Sequence, residues 1–206
     1  MKTEILKIKG DWQDVVRACR VTVSKPPLGH EPSSEFKTKI LISEHSPIRL
    51  ISFLWDWKQI KSWVATHWSR HKFEKFIETQ RTDRTGVNRD ALVQSELVDF
   101  EGDANVQHLI DALRKRLCYM ASPETRTLAE DFKAVLHEIQ PEISDVLVPN
   151  CVYRNGCPEM GNCMRWQLFV RYCKDHADQH PGLMSIQQRY AWYNEWFYEE
   201  HKDTID

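Results

Sequence analysis

The chain has 206 residues, 41% hydrophobic and 28% charged, with 28 Lys and Arg against 30 Asp and Glu for a formal net charge of −2. That length buries a core without help from a metal or a disulfide, and that charge balance excludes a disordered tail and makes long nucleic acid an unexpected partner. Only seven glycines occur, at positions 10, 29, 86, 102, 156, 161 and 182, so neither GxGxxG nor a Walker A loop is present and any phosphate must be held by side chains.

Residues 4–9 and 20–24 carry Ile5, Ile8, Val21 and Val23, which predicts two strands flanking a short helix with Val15 and Val16. A Pro-rich loop follows, and residues 37–43 and 48–55 read as two further strands separated by the turn Glu44-His45-Ser46-Pro47. From Lys58 the period changes: Ile60, Trp63, Val64, His67 and Trp68 recur at three and four, the spacing of a helix. It leads into a charge-dense stretch with little periodicity. The strongest amphipathic pattern covers residues 105–118, with Val106, Leu109, Ile110, Leu113 and Leu117 on one face and with Asn105 and Arg116 nearly in line at its margin. Another helix begins at Ser122-Pro123 and stops at Pro141, and Ser185 to Glu200 repeats aromatic residues at helical spacing. One α+β domain with a helical C-terminal half accounts for this order.

Met1 to Ile5 lacks the apolar run of a signal peptide, and the longest apolar stretch, Leu50–Trp55, is far short of the ~20 residues that span a bilayer. A cytoplasmic protein with no membrane partner is expected, its six cysteines kept as thiols.

Three constellations carry chemistry. Between residues 66 and 89 six Lys or Arg face three Asp or Glu, with His67 and His71 interleaved. Arginine forks suit phosphate or carboxylate, although charge runs more often lie on a solvated helix end. His67 and His71 have the i,i+4 spacing of a metal pair but lack the glutamate of HExxH. On the amphipathic helix, Asn105, His108, Arg114, Lys115 and Arg116 either snorkel to water or aim a cation into a pocket. Cys151-x5-Cys157-x5-Cys163, with Cys118, Cys173 or His176 as a fourth ligand, is a poor match to zinc spacing, and idle thiols are expected rather than a metal. No Ser/His/Asp or Cys/His nucleophile pattern is visible.

In order along the chain, Glu44-His45-Ser46-Pro47, Trp63-Val64-x-x-His67-x-x-Arg70-His71-Lys72, Thr79-Gln80-Arg81, Asn105 with Arg116-Leu117-Cys118, Ala121-Ser122-Pro123-Glu124-Thr125-Arg126 and Pro149-x-Cys151-x5-Cys157-Pro158-Glu159 resemble the flavin-dependent thymidylate synthases. The resemblance covers roughly residues 15–165. It implies an α+β fold with an antiparallel sheet and packed helices over residues 1–165, extended by a helical segment at 166–206. It further implies a homotetramer that binds FAD and dUMP together and converts dUMP to dTMP with methylenetetrahydrofolate and NADPH. Residue by residue, it implies that Arg70 and Arg81 hold nucleotide phosphate with His67, Thr79 and Gln80 beside them. His71, Lys72, Asn105, Asp111, His45 and Arg70 would meet the flavin, and Arg116 would sit at the uracil ring as the catalytic group. A fixed cation there stabilises negative charge developing on the pyrimidine.

The chain also departs from the family pattern. Lys72 replaces the second arginine of Arg-His-Arg, the spacer to Thr79 is one residue shorter, His67 stands for a glutamine and Gln107 for an arginine. His45 lies one place from the expected histidine. Two alternatives follow: the same fold running another flavin reaction on a pyrimidine nucleotide, or a non-catalytic nucleotide- or metal-binding protein organised by its cysteines.

Overall fold

Period-two burial builds the sheet. Along Leu97–Asn105 the residues Val98, Phe100, Gly102 and Ala104 are buried while Asp99, Glu101 and Asp103 stay half-buried, so one face of this strand can only look inward. In the computed structural model, which describes residues 2–202, four strands form one antiparallel sheet in the order β1-β2-β4-β3. They are β1 (Thr3–Lys9), β2 (Ser52–Lys61), β3 (Glu74–Ile77) and β4 (Leu97–Asn105). Register pairs Ile8 with Phe53, Trp55 with Gly102 and Phe76 with Glu101.

The inward face is aromatic. Trp55 meets Trp57 at 5.5 Å and Phe132 at 5.1 Å between ring centroids, both edge-on, and Trp57 lies 4.8 Å from Trp68. Each ring of this size removed from water contributes about 1.5–3 kcal/mol, so the stack anchors the helices that supply Phe132 and Trp68. Those helices are α6 (Pro123–Ile139) and α3 (Ser62–Ser69).

Ten α-helices occur among the described residues. Besides α3 and α6 they are α1 (Trp12–Val21), α2 (Ser34–Ile42), α4 (Thr82–Thr85), α5 (Val106–Arg116), α7 (Pro141–Asp145), α8 (Asn150–Arg154), α9 (Arg165–Ala177) and α10 (Ile186–His201). Two expected strands are corrected. Residues 20–24 are the end of α1 and a turn, where Val21 and Val23 are 71% and 58% exposed and so have no sheet to pack on. Residues 37–43 belong to α2, whose Ser33 accepts a hydrogen bond from the Phe36 amide and whose Glu35 pairs with Lys39 one turn on. Capping and the burial of Ile40 and Leu41 outweigh the β-branched content there. The expected strand at 48–55 splits into a 3-10 helix, Ser46–Leu50, and the start of β2, which then runs on to Lys61 before α3 begins. Two strands, β3 and β4, lie where no pattern predicted one, and α9 lies within the expected helical C-terminal half.

The expected helices at 105–118, 122–139 and 185–200 are α5, α6 and α10. Asn105 caps α5 by accepting from the His108 amide at 3.0 Å, and Ser185 with Gln188 forms a capping box on α10. The C-terminal helices share the core of the sheet: Phe169, Tyr193, Trp196 and Phe197 are buried in the same cluster, and the Arg165 guanidinium lies between Tyr119 at 4.2 Å and Trp196 at 3.7 Å. The last four residues of the expected extension, 203–206, lie outside the described residues. Among the described residues no helix is long and apolar enough to cross a membrane.

Candidate functional site

The C-terminal ends of α3 and α5 meet, and there the motif residues converge. A helix leaves its last carbonyls without intrahelical partners, and Arg116, the final residue of α5, donates from Nη2 to the carbonyl of His67 in the last turn of α3. Its Nε donates to Nε2 of His71 at 2.7 Å. A guanidinium has five N–H donors; with these two committed, three remain without a partner among the described residues. Beside it, Nδ1 of His67 lies 3.0 Å from the Thr125 hydroxyl, which also receives the Ser122 hydroxyl at 2.7 Å.

The local field is positive. Burial first, and then the charges of Arg116 and Lys75, hold His71 neutral by pushing its pKa down to about 4. His67 is pushed down by burial and by Arg116 and Arg70, and Arg116 itself is lowered by burial and by Arg70. Arg70 is exposed at the end of α3 and has no carboxylate partner among the described residues.

Next to this cluster opens a cleft of about 590 Å³. Its wall is assembled from Arg49 of the 3-10 helix, Ser52 of β2, the segment Lys72, Phe73, Glu74 and Lys75, Asp103 and Asn105 of β4, and His108 in the first turn of α5. The register explains the gathering: Ser52 is the partner of Asn105 and Glu74 that of Asp103, so three distant segments end on one edge. The positive end of α5 lies at the same edge. Arg49, Lys72 and Lys75, like Arg70 and Arg116, have no carboxylate partner among the described residues. Elsewhere Arg114 pairs with Glu44, Arg126 with Glu130, Arg165 with Glu200 and Arg81 with Asp83, while Arg20, Arg154 and Arg189 are met by backbone carbonyls or an amide oxygen instead.

Of the residues singled out from sequence, the structure brings His67, Arg70, His71 and Arg116 to one cluster and places Lys72 and Asn105 in the adjoining cleft. Thr79, Gln80 and Arg81 follow β3 outside the cleft, with Arg81 forked onto Asp83 at 3.0 and 2.8 Å. His45 is exposed at the start of the 3-10 helix. Asp111 lies 3.7 Å from Arg114, on the side where Glu44 accepts from both Arg114 and Gln107. Arg49, Lys75, Ser122 and Thr125 were not assigned a role. Ser122 and Thr125 stand inside a recognised segment, whereas Arg49 and Lys75 carry no local signal and join the cleft only through strand register.

Four thiols come together. Cys118, Cys151, Cys157 and Cys163 line a small space of about 10 Å³ with Glu159 and Arg165, and burial foremost pushes the Cys151 thiol up to about 12. Among the described residues no group of three or more His, Cys, Asp or Glu side chains is arranged to hold a metal ion.

The fold has solved counterparts. The chain is similar to flavin-dependent thymidylate synthase ThyX from Helicobacter pylori, solved with FAD and dUMP, at a TM-score of 0.59 and 13% identity over 72% of this chain and 100% of that one. It is likewise similar to the UMP/dUMP methylase PolB from Streptomyces cacaoi, solved with 5-Br dUMP, at a TM-score of 0.56 and 14% identity over 70% of this chain and 93% of that one. At this identity the likeness establishes the fold: an α+β architecture of the ThyX type. No protein-family model and no curated protein sequence matches the chain.

Proposed function

We propose that this chain is a flavin-dependent thymidylate synthase-like enzyme that methylates C5 of dUMP, using methylenetetrahydrofolate as one-carbon donor and NADPH as reductant. The observation that carries the reading is the set of cations, Arg49, Arg70, Lys72, Lys75 and Arg116, left without carboxylates along one edge of a fold that in solved relatives binds dUMP. Arg49, Arg70 and Lys72 are exposed and Lys75 and Arg116 half-buried; like charges gathered on one edge without counter-charges attract anions, and a nucleotide with a dinucleotide cofactor supplies such anions.

The residues present fit FAD. Lys72, Arg49 and Lys75 are donors suited to a pyrophosphate, Asn105 and His108 suit polar groups of the cofactor, and Phe73 offers an aromatic wall. Bound there, the flavin would supply the reducing equivalents for the methylation. The protein's own contribution is positioning and charge. Arg116 turns its three uncommitted N–H groups toward the base and stabilises negative charge building on the pyrimidine, while Arg70 and His67 meet the nucleotide beside it. We assign flavin contacts also to His45, Asp111 and Arg70 on the resemblance alone. In a homotetramer, the loop with Thr79, Gln80 and Arg81 serves the site of a neighbouring copy, where phosphate displaces Asp83 from Arg81.

Two measurements test this. Purified protein should carry, or take up on reconstitution, a yellow chromophore with oxidised-flavin absorbance; protein that stays colourless with excess FAD refutes it. Release of tritium from [5-³H]dUMP with folate and reduced flavin should follow, because only substitution at C5 frees that label. The second reading, another flavin reaction on a pyrimidine nucleotide, is favoured by Lys72 in place of a fork and by His67 being tied to Thr125. Flavin uptake with nucleotide-dependent flavin oxidation but no tritium release selects it.

A further inference from the structure

We propose that His71 is a positioning residue for Arg116, acting as a neutral hydrogen-bond acceptor that aims the guanidinium rather than as a group that meets the flavin. The proposal rests on the functional reading above for the identity of the ligand but not for the contact itself.

The geometry leaves little choice of protonation state. Arginine is always a donor, so the 2.7 Å contact from Arg116 Nε to His71 Nε2 requires a lone pair on that nitrogen and places the single ring proton of the neutral imidazole on Nδ1. A protonated imidazole would set two N–H groups against each other. The charged groups that act on the ring are both cations: Arg116 from α5 and Lys75 from the strand side, where its Nζ donates to the His71 carbonyl at 3.0 Å. These charges and the burial of the ring favour the neutral form. Packing fixes the plane: the imidazole is parallel to Phe73, with 4° between the rings, and Trp68 lies 5.8 Å away on another side.

Two anchors at different nitrogens define a planar fork completely. Nη2 on the His67 carbonyl alone would leave Arg116 free to pivot; adding Nε on His71 fixes the plane, and the three remaining N–H groups then point in one set direction. An acceptor without charge is the suitable second anchor, because a carboxylate in its place would neutralise the cation on which charge stabilisation depends.

The test uses the full-length protein with two substitutions. His71→Gln places an amide oxygen near the position of Nε2, and His71→Phe keeps a flat ring without an acceptor. In ¹⁵N spectra of the wild type, the Arg116 Nε–H should be a resolved, slowly exchanging resonance, and His71 Nε2 should keep the shift of an unprotonated ring nitrogen from pH 8 to pH 5. The Arg116 signal should persist in His71→Gln and exchange fast in His71→Phe. An unchanged Arg116 resonance in His71→Phe, or protonation of wild-type Nε2 within that range, overturns the proposal. In the tritium-release assay, kcat should fall by about 10²-fold in His71→Phe with KM for dUMP little changed, and His71→Gln should restore most of it. A loss confined to flavin affinity would instead place His71 on the cofactor. If the wild type releases no tritium, the reading of the reaction fails while the spectra still decide the contact.

Discussion

Trp55 covers Gly102 across the β2–β4 ladder: the two residues are register partners, and a Cβ built on Gly102 would fall 2.3 Å from the indole ring. The glycine is required by space rather than by backbone angle, because no side chain fits under a ring that is itself held by Trp57, Phe73 and Phe132. Gly102→Ala is therefore expected to destabilise the protein by about 1–3 kcal/mol through overpacking. Urea denaturation measures it; a midpoint equal to that of the wild type would show that the indole moves aside at no cost.

A second prediction concerns Lys133, which is fully buried and donates to the Ser144 carbonyl and to Asn194 Oδ1, both at 2.7 Å. Burial pushes its pKa down to about 7, partly opposed by Asp145. The unfolded chain, with a lysine near 10.5, then binds more protons than the folded one between pH 7 and 10.5, so this residue's contribution makes stability rise with pH across that window and fall as pH drops through it. Subtracting the curve for Lys133→Met from that of the wild type should isolate a slope approaching about 1.4 kcal/mol per pH unit. Parallel curves would mean that Lys133 stays charged in the fold.

Arg116→Ala should lower turnover by about 10²–10³-fold, the usual cost of removing one preorganised donor from a developing anion. Far-ultraviolet circular dichroism should be unchanged, since the helix α5 is held by Leu109, Ile110 and Leu113 and not by its last residue. Turnover equal to the wild type's would remove Arg116 from the chemistry.

Lys72→Ala and Arg49→Ala should each weaken FAD binding by about 10–100-fold, as expected for losing a hydrogen bond to a charged group, and raising salt should shrink the difference. Fluorescence quenching of the flavin on titration gives the affinity. If neither substitution changes it, the flavin does not occupy this cleft.

Some of this protein is written in short stretches of sequence. The helices α5, α6 and α10 are legible because a repeating apolar face and a capping residue lie within a few turns of each other: Asn105, Ser122-Pro123 and Ser185 mark their starts. The motif residues His67, Arg70, His71 and Arg116 are legible by resemblance, and so is the fold class, later matched by solved structures.

What the tertiary structure alone decided is everything that depends on pairing between distant segments. Strand β4 has no local signature because its inward positions include Gly102 and Ala104, whose small size is required by Trp55 packed above Gly102. Residues 37–43 look like a strand by composition yet form α2, because a cap at Ser33 and a core-facing Ile40-Leu41 outweigh local preference. Arg49 and Lys75 reach the cleft only through the register of Ser52 with Asn105 and Glu74 with Asp103. Even the recognised His71 acquired its partner from the fold: a side chain expected to face a cofactor is bound to Arg116, 45 residues away, since only the tertiary structure brings the end of α5 to the segment that follows α3 and sets donor and acceptor 2.7 Å apart.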